Sequence, residues 1–463
     1  MVNLLKKNLT FILLLPVIVN CIFNLLKKNI SIENINIYDF FSSIFLFLFL
    51  FLFGNLFKEI YENLTITFGI IIYLISFFIF ESVFLFFYKS VNLDTSFILI
   101  NIIWLSFFIF KTKNKQYLAY LLISYLFMTY FNNSFNEIMT SNVNIIGDVK
   151  DVFLPNVERI YNNSFYESVV DPKMTGYPQF MSYLDALIHK ISIGGESYTF
   201  FITNSLIFFW LNILLFIELN LERKNRLLLV LIFSLLIINS EWLQFLFVTS
   251  LMSERIVGYL FLGILIPLFR QKKLSGEEVN IVFFTLGFIY LTKQFFSTLV
   301  IVLFILFFFI KKYRKHSVYL VFAFLIKELS YLTYFKGTPK DHHISQIDFM
   351  DTIFDLLLFR DLAFNNINEI ISNLFIDKPM SYIILIATFT YFLYLFLVSY
   401  RHFELNLYSF LSITNAILVF LLYISVWQNM ELESPIRYIY SFLPFYLVVY
   451  FYSVENIEKR LKI

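Results

Sequence analysis

The chain has 463 residues, 59% of them hydrophobic, 21% aromatic and only 15% charged, and its mean hydropathy is +0.76. Continuous apolar runs, such as FLFLFLFLF over 45–53 and IVLFILFFFI over 301–310, exclude a soluble globule and also a β-barrel, whose short segments alternate. One cysteine, Cys21, excludes an intrachain disulfide framework and a cysteine-based metal site, and a net charge of +2 gives no sign of nucleic-acid binding.

A helix needs about 20 apolar residues to cross hydrocarbon. Windows of that kind fall first at 8–26, 38–57, 64–87, 94–110 and 116–131. Lys6 and Lys7 precede the first window, but Cys21, Asn24 and Lys27-Lys28 stand where a signal peptide would carry small residues, so it is read as a retained span. Residues 132–197 are too mixed to cross. Six further windows lie at 198–219, 226–243, 247–269, 279–294, 296–310 and 317–335. A second polar stretch, 336–379, precedes the last three, at 380–400, 405–427 and 437–454. The expected fold is therefore all-α, a polytopic transmembrane bundle of about fourteen spans, with twelve as the lower count, forming one integral domain over 1–463.

Both polar stretches carry helical patterns of their own. Val149–Tyr161 places Val152, Asn156, Arg159 and Ile160 at helical spacing. After the turn at Gly176-Tyr177-Pro178, Met181–Ile191 repeats apolar residues at Tyr183, Leu184, Leu187, Ile188 and Ile191, as expected of a helix lying along the membrane interface. In the second stretch, Ile347–Leu362 sets Asp348, Asp351, Asp355 and Asp361 against apolar neighbours, another interfacial pattern.

Lys and Arg in short loops set orientation. With Lys6 and Lys7 cytoplasmic, the same side receives Lys111, Lys113 and Lys115; Arg223, Lys224 and Arg226; Arg270, Lys272 and Lys273; Lys311, Lys312, Arg314 and Lys315; Arg401; and Lys459, Arg460 and Lys462. Lys27-Lys28 is the exception. Both termini then face the cytoplasm, and 132–197 and 336–379 are outer, periplasmic loops. The Phe, Ile, Asn, Lys and Tyr excess resembles AT-rich coding and points to a bacterial inner membrane.

Charges at the outer rim run against this trend and mark candidate sites. GDVKDVFLPNVERIY, 147–161, holds Asp148 and Asp151 at i,i+3 on one helix face. Such a carboxylate can serve as a general base, and it can equally cap the helix that follows. Glu254-Arg255 reads as a phosphate contact or as a boundary pair with Arg255 snorkelling. Lys293-Gln294 reads as a ligand contact or as a hairpin turn. Arg437-Tyr438 reads as a ligand contact or as an interfacial anchor. Tyr177-Pro178 reads as a site element or as a helix start. Asp341-His342-His343 has metal-binding residue types, but adjacent histidines point apart on a helix, and no metal or other cofactor is indicated. Together, carboxylates and cations on one rim suit an anionic lipid-phosphate donor.

The succession of GDVKDVFLPNVERIY, VVDPKMTGYPQFMSYLDALIHKI, LTKQFFSTLVIVLF and SPIRYIYSFLPFYLVVYF resembles the GT-C superfamily of polytopic glycosyltransferases, notably the protein mannosyltransferase and aminoarabinose transferase relatives. Arg437-Tyr438 followed by Pro444 is similar to the family's RY…P close, Lys293 to its LTK segment, and Gly176-Tyr177-Pro178-Gln179 to its YPP element, with Gln179 in place of a second proline. The resemblance covers 145–450. About five spans precede the acidic motif here, whereas the family's acidic loop follows its first span. The resemblance implies inverting transfer from a polyprenyl-phosphate sugar to a lipid, glycan or protein acceptor. Asp148, or next Asp151, would be the base. Lys293, Arg255 and Arg437 would contact the donor phosphate, with Glu254, Gln294, Tyr438 and Tyr177 also lining the substrate.

Two other functions fit the same outline. A polysaccharide polymerase or ligase of the O-antigen type uses outer-loop arginines, and 132–197 holds only Arg159 among many acids. A lipid or glycan flippase would build its site from helices broken by Gly or Pro. The chain has 11 Gly and 9 Pro, few of them within spans, and no carboxylate stands out at a midplane.

Overall fold

The computed structural model describes residues 37–88, 92–135, 154–162, 180–192, 201–240, 254–269, 273–288, 294–323, 378–398, 402–425 and 439–461, together with residues 243 and 325. Among these residues the regular structure is helical and no strand occurs. The chain divides into two compact units: Ile32–Glu218 with Val248–Gln346, and Leu219–Phe247 with Ile347–Ile463 and Met1–Ser31.

The first unit contains α1 (Ile37–Ile60), α2 (Ile66–Tyr88), α3 (Leu93–Lys111), α4 (Lys115–Phe135), α5 (Leu154–Asn162), α6 (Phe180–Ser192), α7 (Phe201–Glu218), α9 (Glu254–Phe269), α10 (Gly276–Gly287) and α11 (Gln294–Phe309). The second contains α8 (Arg223–Asn239), α12 (Lys378–Leu397), α13 (Phe403–Ser425) and α14 (Leu443–Leu461). Apart from α5 and α6, which lie in the polar stretch 132–197, these helices fall where the apolar windows place them. Among the described residues three stretches, Phe40–Ile60, Leu93–Lys111 and Met380–Leu397, are long and apolar enough to cross a membrane. Large apolar side chains of α3 and α12 face outward, with Phe110 85% and Phe396 86% exposed, as suits lipid rather than water.

Two boundaries differ from expectation. The helix expected over 279–294 starts earlier, at Gly276, where Ser275 and Glu278 close a capping box. By contrast, α14 continues to Leu461, past the expected end at 454. Its polar last turns are tied down by Glu455, which accepts from the Glu222 amide at 3.0 Å, from Asn225 Nδ2 at 2.9 Å and from Lys459 Nζ at 2.5 Å.

In the first unit α2 packs against α1, α3, α6, α7 and α9. Glycines bring its backbone close to two of these neighbours. A Cβ on Gly69 would lie 3.0 Å from Gly54 Cα and 2.9 Å from Phe57 Cβ, so the backbones of α1 and α2 nearly touch there. A Cβ on Gly263 of α9 would lie 2.8 Å from Thr67 Cγ2. The helix pair α2–α3 is joined by polar rungs as well as rings: Tyr73 donates to Asn101 Oδ1 at 3.0 Å, and Trp104 Nε1 donates to Ser76 Oγ at 3.0 Å.

Carboxylates clamp the helix ends at one extremity of this unit. Glu218, at the end of α7, accepts from the amides of Ile66 and Thr67 at 2.9 and 2.8 Å, capping α2 from another element. Glu59 accepts from Thr112 Oγ1 at 3.0 Å and from the Asn114 amide at 3.1 Å. Glu278 closes a capping box with Ser275 and accepts from Asn63 Nδ2 at 3.0 Å. The turns at 61–65, 112–114 and 273–275 therefore lie together, and with them the exposed cations Lys111, Lys113, Lys115 and Lys273.

Candidate functional site

The far end of α2 holds a different kind of acid. Glu81 lies one helix length from the Glu218 clamp, on a face that is otherwise apolar, and is only 2% exposed. Ser96 Oγ, in the first turn of α3, donates to Glu81 Oε1. Tyr183 OH, from α6, reaches the same oxygen at 3.4 Å. Ser96 Oγ also lies 3.2 Å from the Asn92 carbonyl, and Asn92 caps α3 by accepting from the Thr95 amide at 2.8 Å. One carboxylate thus joins three segments that are far apart in sequence.

Helix α6 brings Tyr183 there, and its placement corrects the sequence reading. An interfacial helix would keep one face exposed. Instead every residue from Ser182 to Ile188 is buried, Asp185 included, because α6 packs against α1, α2, α4, α5 and α7. The pattern Tyr183, Leu184, Leu187, Ile188 marks its apolar face, but Ser182, Ala186 and Asp185 on the other side are covered by neighbours too. Burial pushes the Tyr183 hydroxyl well above its ordinary value, and the Glu81 carboxyl adds to this, so the phenol stays a neutral donor. The neighbouring α5 is described from Leu154 and buries Val157 and Ile160. It carries Arg159, half-buried, the one arginine of 132–197.

The residues singled out from sequence are largely not among the described ones. Asp148, Asp151, Tyr177, Lys293, Arg437 and Tyr438 lie outside the described residues, as do Asp341, His342, His343 and the 347–362 helix. Glu254 and Arg255 open α9, and Gln294 opens α11; their backbone is helical, and their side chains lie outside the description. Among the described residues no cluster of three His, Cys, Asp or Glu side chains can hold a metal ion.

Sequence reasoning passed over Glu81. Its signal was present: a lone carboxylate inside the apolar window 64–87, the kind of residue that is costly in a membrane helix and marks function by default. Tyr183 and Ser96 carried no such signal, since a hydroxyl beside aromatic residues is common in any span.

No known protein family, curated protein or solved structure matches this chain.

Proposed function

We propose that the protein is a polytopic membrane glycosyltransferase of GT-C type, with about fourteen spans, acting on a polyprenyl-phosphate sugar at the outer face of a bacterial inner membrane. The observation that carries the reading is the seating of α6. Within the polar stretch 132–197, α6 is buried from Ser182 to Ile188, with Tyr183 on Glu81 at the end of α2 away from the clamped basic turns. A general base requires rigid support, and a buried helix in the same polar stretch is what favours this reading. The motif resemblance over 145–450 supplies the reaction class.

In this reading Asp148, with Asp151 second, takes the proton of an acceptor hydroxyl. The acceptor oxygen then attacks the anomeric carbon of the donor, and the bond from that carbon to the phosphate oxygen breaks with its electron pair. Arg255 and Lys293 stabilise the charge that develops on the departing polyprenyl phosphate. The products are the glycosylated acceptor with inverted anomeric configuration, polyprenyl phosphate, and the proton on the carboxylate.

The test is turnover of the full-length protein in detergent with polyprenyl-phosphate sugars, scored as release of polyprenyl phosphate. Asp148→Asn or Asp151→Asn should abolish turnover while donor binding survives. Full activity in both variants would make the acid pair a helix cap and sink the assignment. A second reading, a flippase, is favoured by one observation, the carboxylate of Glu81 within the apolar helix α2, since such groups in membrane helices mark transport pathways. Movement of a labelled lipid across proteoliposomes without any sugar transfer would bring that reading forward.

A further inference from the structure

At the clamped end of the first unit, the chain between α11 and the helical segment 317–323 forms a tight turn, Ile310 to His316. Its backbone closes on itself: the amides of Tyr313 and Arg314 donate to the Ile310 carbonyl at 2.9 and 3.0 Å, and those of His316 and Ser317 donate to the Tyr313 carbonyl at 2.9 and 3.0 Å. Two inward residues pin it. Tyr313 is buried with its ring 5.4 Å from Phe307 and 5.8 Å from Phe283. His316 Nδ1 lies 2.6 Å from Asn280 Oδ1 on α10. Between Ile310 and His316 the other four side chains, Lys311, Lys312, Arg314 and Lys315, are all exposed cations.

These cations are held, but not neutralised. Arg314 donates through Nε to the Phe308 carbonyl at 3.0 Å, with its guanidinium 5.7 Å from the Phe308 ring. Lys312 Nζ donates to Tyr313 OH at 2.9 Å and sits 4.7 Å from that ring. Among the described residues none of the four forms an ion pair. Guanidinium Nη groups and the remaining ammonium protons are thus left pointing outward from a rigid turn. The flanking surface is apolar and open, with Phe309 72% and Val318 61% exposed.

We infer that this turn is a binding site for the phosphate headgroup of an anionic phospholipid, with Lys312 and Arg314 as the clamp and the Phe308, Phe309 and Val318 surface taking the acyl chains. Fixed cations beside an exposed apolar band match a lipid's two chemistries at once, which a free phosphate would not. A flexible basic tail would attract the same lipids diffusely; pinning by Tyr313 and His316 makes a discrete site. The site is independent of the glycosyltransferase reading, because lipid binding requires no sugar donor.

The experiment is equilibrium binding of phosphatidylglycerol, against phosphatidylcholine, to the full-length protein in neutral detergent micelles, followed by native mass spectrometry. Phosphatidylglycerol should bind the more tightly. Lys312→Gln with Arg314→Gln should weaken it about 25-fold, about fivefold for each cation at a membrane surface. Arg314→Lys, which keeps the charge and loses the fork, should fall between. Lys111→Gln with Lys113→Gln, on another exposed turn, should leave the affinity unchanged. Thermal unfolding of each variant checks that the fold is intact. Equal affinity for the two lipids, no loss in the clamp variant, an equal loss in the control pair, or displacement by inorganic phosphate would each overturn the site.

Discussion

Tyr183→Phe removes a hydroxyl that links α6 to α2. The ring keeps its edge-on packing on Phe78, at 6.3 Å between centroids, while the bond to Glu81 is lost. At 3.4 Å that bond exceeds the usual range for O–H···O, which puts it at the low end of the net value of a buried hydrogen bond, about 0.5–1 kcal/mol. Glu81→Ala costs more. It deletes a side chain that is 2% exposed and removes the acceptor of two buried hydroxyls. Ser96 keeps the Asn92 carbonyl at 3.2 Å as a second acceptor, so its share is small and the total should be about 2–4 kcal/mol. The double variant should then cost less than the sum of the singles by about 0.5–1 kcal/mol. Denaturant unfolding of the full chain in mixed micelles, followed by tryptophan fluorescence, gives all four corners of the cycle. Strict additivity, within about 0.3 kcal/mol, would mean that Glu81 and Tyr183 do not hold each other, and the seating of α6 would need another cause.

Two further outcomes follow from particular contacts. Gly69→Val should destabilise the first unit by about 1–3 kcal/mol, since its Cβ would stand 3.0 Å from Gly54 Cα and backbone cannot give way as a side chain can; a thermal midpoint equal to that of the unmutated chain would refute the close crossing. Acidification should act through His316. Burial, and then the charge of Lys315, lowers its pKa from the ordinary value of 6.5, so the folded form resists the proton that the unfolded chain accepts. Its contribution to stability is complete above pH 6.5 and is lost as the pH falls below that value toward the depressed folded one. Unfolding midpoints measured from pH 8 down to 5 should decline less steeply in His316→Gln; identical curves would show that His316 does not titrate in this way.

Helix positions were legible because their causes are local. The length of an apolar run and the cations that end it decide where a membrane helix begins and stops, and α1 to α4 follow their windows within a few residues. The gathering of basic turns at one extremity was legible for the same reason. Glu81 was legible as an anomaly, a charge-bearing group in an apolar window, but its meaning was not, because its partners Ser96 and Tyr183 lie 15 and 102 residues away.

From sequence alone, then, comes an all-helical chain rich in membrane-compatible segments, since hydrophobicity and charge act residue by residue along a helix. Only the tertiary structure decided that α6 is buried on every described side rather than lying at an interface, and that Glu218 caps α2 rather than its own helix. Amphipathic spacing reports which face of a helix is most apolar; whether the other face meets water, lipid or protein depends on neighbours that the spacing does not contain.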